Sequence, residues 1–260
     1  MKRLTTILSV LLFASSLYSQ TDKDRKEWAA SILGDSNVPA SEQNRIKRFN
    51  FGPLWTRLSD NASVLGFIGD DYQRLRVVIL SAAKRPGQPG TYNVTGKSMV
   101  KNVVRPFSGT MRITHARSSR GDDLEDDYKS ERVREAGMVF GEYDFSEDAK
   151  QSNTGTFSGV FVTYWVVDRN GRFRYDEVMT GADGYLNNQF AGTWTSHRSK
   201  AKKAAHWGDS RIPAAGDLDI GAGEFSPDEK YISNGWQSYR DAYFKQDKRA
   251  LAKERRQWWR

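Results

Sequence analysis

Between Val64 and Arg198 the chain keeps returning to a two-residue period, and that alternation limits the fold more than any other feature. It is cleanest from Phe107 to Arg117. There Phe107, Gly109, Met111, Ile113 and His115 take one face, and Ser108, Thr110, Arg112, Thr114 and Ala116 the other. Side chains on a strand point alternately to the two sides of a sheet, so this segment predicts a half-buried strand with His115 on the apolar side. Comparable runs predict strands at Val64–Ile68, Tyr72–Ala82, Thr91–Val100, Met138–Phe145, Thr156–Asp168 and Gln189–Arg198. Asn170-Gly171 separates Thr156–Asp168 from a further alternating run with Phe173 and Tyr175. That step predicts a hairpin through a type I′ turn, whose two central residues both need positive φ. Pro86 to Gly90 predicts the turn between the second and third strands.

Eight short runs joined by turns, with no strand–helix–strand period, predict a mainly β fold: an antiparallel meander barrel of about eight strands. A weak repeat supports closure. Phe107-Ser108-Gly109, Phe157-Ser158-Gly159 and Phe190-Ala191-Gly192 each place Phe and Gly on one face, followed on that face by Met111, Phe161 and Trp194. Glycine inside a strand marks a bend or a close approach, and its recurrence suits a sheet coiling on itself. The side chains expected to face the interior, and to line any ligand cavity there, are Phe107, Met111, His115, Phe157, Phe161, Trp165, Phe190 and Trp194. An eight-stranded barrel is either filled by such side chains or holds one small ligand.

The ends read differently. Met1-Lys2-Arg3, the apolar stretch from Ile7 to Ala14 and the serines that follow predict a signal peptide over residues 1–19, cleaved near Ser19. The expected location is therefore secreted or periplasmic, without a lipid anchor because no cysteine exists to carry one. Residues 20–63 read as a helical and irregular segment in which Thr21 to Leu33 is amphipathic. Residues 64–200 are the barrel, 201–236 a loop-rich extension, and 237–260 a basic C-terminal helix with Tyr239, Tyr243, Phe244 and Leu251 as apolar points. These terminal helices are expected at the periphery.

The formal charge of +8 suggests nucleic acid until it is apportioned. Two charges belong to Lys2 and Arg3. Residues 245–260 hold seven basic residues against Asp247 and Glu254, which leaves the body from Gln20 to Phe244 at about +1. A basic groove across the fold is unsupported, and nucleic acid is not an expected partner. Basic residues beside Trp258-Trp259 make peripheral contact with an envelope surface one expectation for the tail, and a helix docked on the barrel the other.

Chemistry is constrained by what is missing. Zero cysteines exclude thiol catalysis and cysteine-ligated metals, and the three histidines have no metal-binding spacing. No cofactor is expected. Glu142 and Asp144, two apart on one strand, would share a face as a glycosidase pair requires, with Asp176, Glu177 and Asp183 as further carboxylates near the hairpin. Asp217, Asp219 and Glu224 alternate with flexible glycines as oxygen-only calcium loops do. Gly155 to Gly159 is not a nucleophile elbow, so Ser158 reads as an outward polar residue.

The meander, the Gly192-Thr193-Trp194 triplet and the export signal together resemble the calycin-like barrels, meaning lipocalins and avidin-type proteins, over about half of the chain. In lipocalins the Gly-x-Trp triplet lies on the first strand and here it falls in the last run. The resemblance therefore implies an architecture and a ligand cavity, not individual site residues. The leading expectation is an exported binding protein holding a small apolar or amphiphilic ligand in the barrel, with a glycan as another ligand class. The alternatives are a secreted glycan-active hydrolase using paired carboxylates and a non-enzymatic envelope scaffold.

Overall fold

The computed structural model describes residue 23, residues 25–34, residues 46–57 and residues 64–260. The signal segment and the break at Asp35 to Pro39 lie outside the described residues. One antiparallel sheet contains β1 (Val64–Ile68), β2 (Gln73–Lys84), β3 (Thr91–Val100), β4 (Val103–Arg120), β5 (Glu135–Glu147), β6 (Gly155–Val167), β7 (Phe173–Tyr175), β8 (Asn187–Ser196) and β9 (Lys202–Asp209). Eight of these strands close a ring in the order β1-β2-β3-β4-β5-β6-β8-β9, with β9 pairing back onto β1. The meander barrel is therefore as the alternation predicts, with one substitution among its strands. The hairpin strand β7 is a three-residue stub on β6, and the eighth ring strand is β9, inside the stretch expected to be loop-rich. Lys202 to Trp207 contains no β-branched residue to mark a strand. Both faces of β9 are also buried from Ala204 to Asp209, which hides it from a period-two reading.

The turns carry a second correction. Gly171 has φ +79° while Asn170 is not left-handed, so the hairpin is no type I′ turn. Its loop is closed by left-handed Gly171, whose N–H donates to the Asp168 carbonyl, while Asp168 Oδ1 accepts the N–H groups of Asn170 and Arg172. The two-residue turn with both φ positive is Lys101-Asn102, at +50° and +64°, between paired Val100 and Val103.

Closure rests on glycines that face aromatic rings across the strands. Gly96 pairs with Phe107, Gly137 with Trp165, Gly141 with Phe161 and Gly159 with Tyr143. A Cβ on Gly141 would lie 2.2 Å from the Arg112 carbonyl oxygen and 2.7 Å from the Phe161 ring. Each ring thus lies over a gap that no other residue leaves, and the backbones approach as a tightly coiled sheet demands. The Phe-x-Gly register holds: Phe107, Met111, Phe157, Phe161, Trp165 and Phe190 belong to one buried cluster, with Trp194 half-buried against it. Phe190 stacks on Trp207 at 4.8 Å and Phe107 on Phe145 at 4.9 Å. One mouth is plugged by residues 46–57, which include α2 (Gly52–Trp55). The Phe51 N–H donates to the Tyr92 hydroxyl at 3.0 Å, and Trp55 Nε1 donates to Thr163 Oγ1 at 2.9 Å. The barrel is filled.

His115 is not on the inner face. The β4–β5 register shifts between Ile113 and His115, so the bulge gives the interior position to Ala116 and turns His115 outward against Phe140. The outer face there carries α1 (residues 25–33), whose Trp28, Ile32 and Leu33 pack on Met138, Phe140 and Val162.

Residues 210–260 cover the opposite wall. Leu218, Phe225, Ile232, Trp236 and Tyr239 pack on the outward Leu65 and Phe67 of β1 and Ala204 of β9. The tail forms two helices rather than one, α4 (Gln237–Tyr243) and α5 (Lys248–Arg255). It is docked, although not through Tyr243 and Phe244, which are exposed. Glu254 is fully buried and accepts hydrogen bonds from both terminal nitrogens of Arg74, at 2.9 and 2.6 Å, and from one of Arg76, at 2.7 Å. Trp258 and Trp259 close the strap on Val78. Burial opposes ionisation of Glu254, but the two guanidinium groups and the Ser238 hydroxyl outweigh it and hold the carboxyl below its usual range. The same burial lowers Arg76 to about 10.

Two predictions follow from these contacts. Glu254→Gln strands two buried cations and lowers unfolding free energy by about 3–5 kcal/mol in denaturant titrations, whereas Glu229→Gln at the solvent-screened pair with Arg240 leaves it nearly unchanged. Because the folded carboxyl is depressed below its unfolded value of about 4.3, this contribution is complete above that pH and disappears as pH falls through the folded value. Inside the barrel, the Tyr143 hydroxyl is buried without a partner among the described residues. Tyr143→Phe keeps or raises the melting temperature, while Gly141→Ala costs about 1–3 kcal/mol by overpacking.

Candidate functional site

The side chains expected to line a cavity are in contact with one another rather than with a void. Two cavities open at the plugged mouth. One of about 40 Å³ lies among Trp55, Val77, Phe190, Trp207 and Asp209, and one of about 90 Å³ lies beside Phe49, Tyr92 and Ile113. These have room for a few water molecules at most, whereas drug-sized ligands need about 300 Å³ and more. The first is closed off by a polar network in which the Tyr175 hydroxyl donates to Asp209 Oδ2 at 2.5 Å and Asn188 Nδ2 donates to the same oxygen at 3.1 Å. At the other end Trp194 Nε1 donates to the buried Glu147, which also accepts from Ser98 Oγ and the Gly155 N–H.

The carboxylate candidates separate. Glu142 and Asp144 share a face as the alternation predicts, but it is the outer one, and Glu142 is paired with Arg112 at 2.5 Å. Burial raises the Asp144 carboxyl somewhat. In the glycine-rich loop, a guanidinium occupies the place a cation would take. Arg211 donates to Asp219 Oδ2 and to the carbonyls of Gly221, Ala222 and Gly223. Asp217 is held by Lys230 and Tyr231, and Glu224 is exposed. Among the described residues no group of three or more His, Asp or Glu is placed to hold a metal ion. Ser158 faces outward, as expected, into an open groove of about 410 Å³ under α1 that Arg25, Lys26 and Glu142 also line.

The best-organised depression lies where β6 changes neighbours. β8 leaves it at Val162 and β7 takes over at Trp165, so the backbone of Tyr164 falls between them. The fully buried Asn187 amide fills that break. Its Oδ1 accepts the Tyr164 N–H at 2.8 Å and its Nδ2 donates to the Tyr164 carbonyl at 3.0 Å. Asp176, also buried, fixes the adjoining loop: Oδ1 accepts the Val178 N–H at 3.0 Å and Oδ2 accepts the Tyr128 hydroxyl at 2.7 Å. The Asp176 carbonyl accepts the Tyr185 hydroxyl at 2.7 Å. Tyr128 belongs to α3 (Asp126–Ser130), which is thereby tied across to the loop.

The result is a cleft of about 240 Å³ lined by Tyr128, Tyr164 and Tyr185 with Asp176, Met179 and Asp183. Burial raises all three phenols, Tyr185 to about 12, and the bond to Asp176 raises Tyr128 further. All three hydroxyls therefore stay protonated at neutral pH. The cleft offers aromatic surface and the exposed Asp183 carboxylate, while the Tyr128 and Tyr185 hydroxyls are spent on Asp176 within its wall. Both Asp176 oxygens are already engaged, one by the Val178 N–H and one by the Tyr128 hydroxyl. The hairpin carboxylates Asp176 and Asp183 do meet here, whereas the tyrosines come from α3, β6 and the loop before β8. No spacing in the sequence joins them. No family model, curated protein or solved structure matches this chain.

Asp176→Ala should remove the bracket while sparing the ring. The expected outcome is an unchanged far-ultraviolet circular dichroism spectrum, a loss of about 1–3 kcal/mol, and new protease cleavage between residues 177 and 186.

Proposed function

We propose that this chain is an exported, non-catalytic binding protein that takes a sugar ring of a glycan in the Tyr128–Tyr164–Tyr185 cleft, the filled barrel serving as its rigid scaffold. The observation that carries the reading is the convergence of three tyrosines on one cleft fixed by buried Asp176 and Asn187. Sugar rings present apolar C–H faces edged by hydroxyls. Aromatic faces suit the first, and the exposed Asp183 carboxylate suits the second. Building such groups on a strand and a bracketed loop holds them in place before the ligand arrives. Export rests on the basic start and short apolar run at the N-terminus.

A ligand inside the barrel draws less support, because Phe51 and Trp55 already occupy the mouth and the two cavities described beside them are water-sized. Hydrolysis in the cleft draws less as well: the Asp176 carboxylate is committed to the Val178 N–H and the Tyr128 hydroxyl, which leaves only Asp183 to act.

A glycan array followed by calorimetry on the purified full chain tests the proposal. Tyr164→Ala should weaken the best ligand by about tenfold, and Tyr164→Phe, which keeps the ring, by much less. The reading fails if no glycan binds, or if binding is indifferent to both Tyr164→Ala and Tyr185→Ala.

A further inference from the structure

Once the tail is docked, its charge is left on the outside. Lys248, Arg249, Lys253, Arg255 and Arg256 are exposed and make no ion pair with any described residue. The only acid on α5, Glu254, is turned inward and consumed by Arg74 and Arg76. Of the nearby carboxylates, Asp247 caps the helix by accepting the Ala250 N–H, and Asp241 is bonded to Arg240 and Lys245. At the end of α4, which packs on α5, lie Tyr243 and Phe244, 40% and 50% exposed, two of the four large apolar side chains exposed among the described residues, and Arg255 is close enough to act on the Tyr243 phenol. They lean on Tyr239, whose ring centroid is 4.7 Å from Tyr243 and 6.4 Å from Phe244, so they stand on a packed base. Trp258 and Trp259, which the sequence offers as interfacial anchors, are spent on the barrel wall.

We infer that the α4–α5 corner is a docking surface for an anionic lipid bilayer, with Tyr243 and Phe244 entering the headgroup region and the α5 cations neutralising lipid charge around them. Exposed aromatics beside basic residues are the combination that interfacial binding needs, since each basic residue adds attraction and the rings add apolar burial. No helix among the described residues is long and apolar enough to cross a membrane, and this contact requires none. The surface lies on α4 and α5 and is independent of the tyrosine cleft.

Co-sedimentation of the full chain with vesicles tests it. The protein should pellet with phosphatidylcholine–phosphatidylglycerol vesicles, remain in solution with phosphatidylcholine alone, and be released at least about tenfold by molar salt, where screening shortens to about 3 Å. Lys248→Glu/Arg249→Glu should abolish pelleting. Tyr243→Ser/Phe244→Ser should weaken it severalfold with the melting temperature preserved, and Lys248→Gln/Arg249→Gln gives a milder second variant should the charge reversal unfold. Absence of pelleting overturns the inference. So does pelleting insensitive to both pairs of substitutions, or retention on a soluble polyanion without any on vesicles.

Discussion

Everything in this molecule depends on aromatic rings lying over glycines across the strands. Eight strands can close only if the sheet coils strongly, and coiling brings backbones and inward side chains into conflict. Glycine at 96, 137, 141 and 159 relieves the conflict on one strand, and a ring on the next fills the space. The outcome is a barrel whose interior is filled by its own rings and by Phe51 and Trp55 at one mouth. The wider depressions lie on the outer surface and rim, where loops can be shaped without disturbing the core.

The outer wall is covered in two different ways. Over β5 and β6 the cover is light, one amphipathic helix on a small apolar cluster. Over β1, β2 and β9 it is heavy, with a second core and a buried carboxylate between two arginines. A buried ion pair gains little in net stability over an apolar alternative, yet it is costly to break. Its effect here is positional: Glu254 can be satisfied only where Arg74 and Arg76 meet it. That fixes which face of α5 is hidden and which is left to solvent.

Most of the barrel was legible because period-two alternation survives wherever one face is wet. It failed at β9, buried on both sides, and at His115, where a single bulge inverts the faces of everything beyond it. The Phe-x-Gly triplets correctly indicated the interior face, although of their glycines only Gly159 belongs to the set at 96, 137, 141 and 159 that faces a ring. Whether the interior would be hollow was not legible, since the answer lies in residues 46–57, whose Phe51 and Trp55 enter the mouth from outside the alternating region. The cleft was half legible. Asp176 and Asp183 stand out as carboxylates near a hairpin, whereas Tyr128, Tyr164 and Tyr185 meet only through the fork at β6. Asn187, which holds that fork together, looks in the sequence like an ordinary loop asparagine.

The pairing of β9 with β1 sets an order in time. Val64 finds its partner only when Asp209 has been made, so the first strand's edge stays open while every other strand is added. Rates fall as contacts join residues far apart in the chain, and an unpaired edge is where chains associate wrongly. The nascent barrel is therefore an open, edge-exposing sheet for most of its synthesis. The segment that follows β9 lies over this junction, with Leu218, Phe225 and Trp236 packed on Leu65, Phe67 and Ala204, and so covers the pairing that joins the two ends of the barrel sequence.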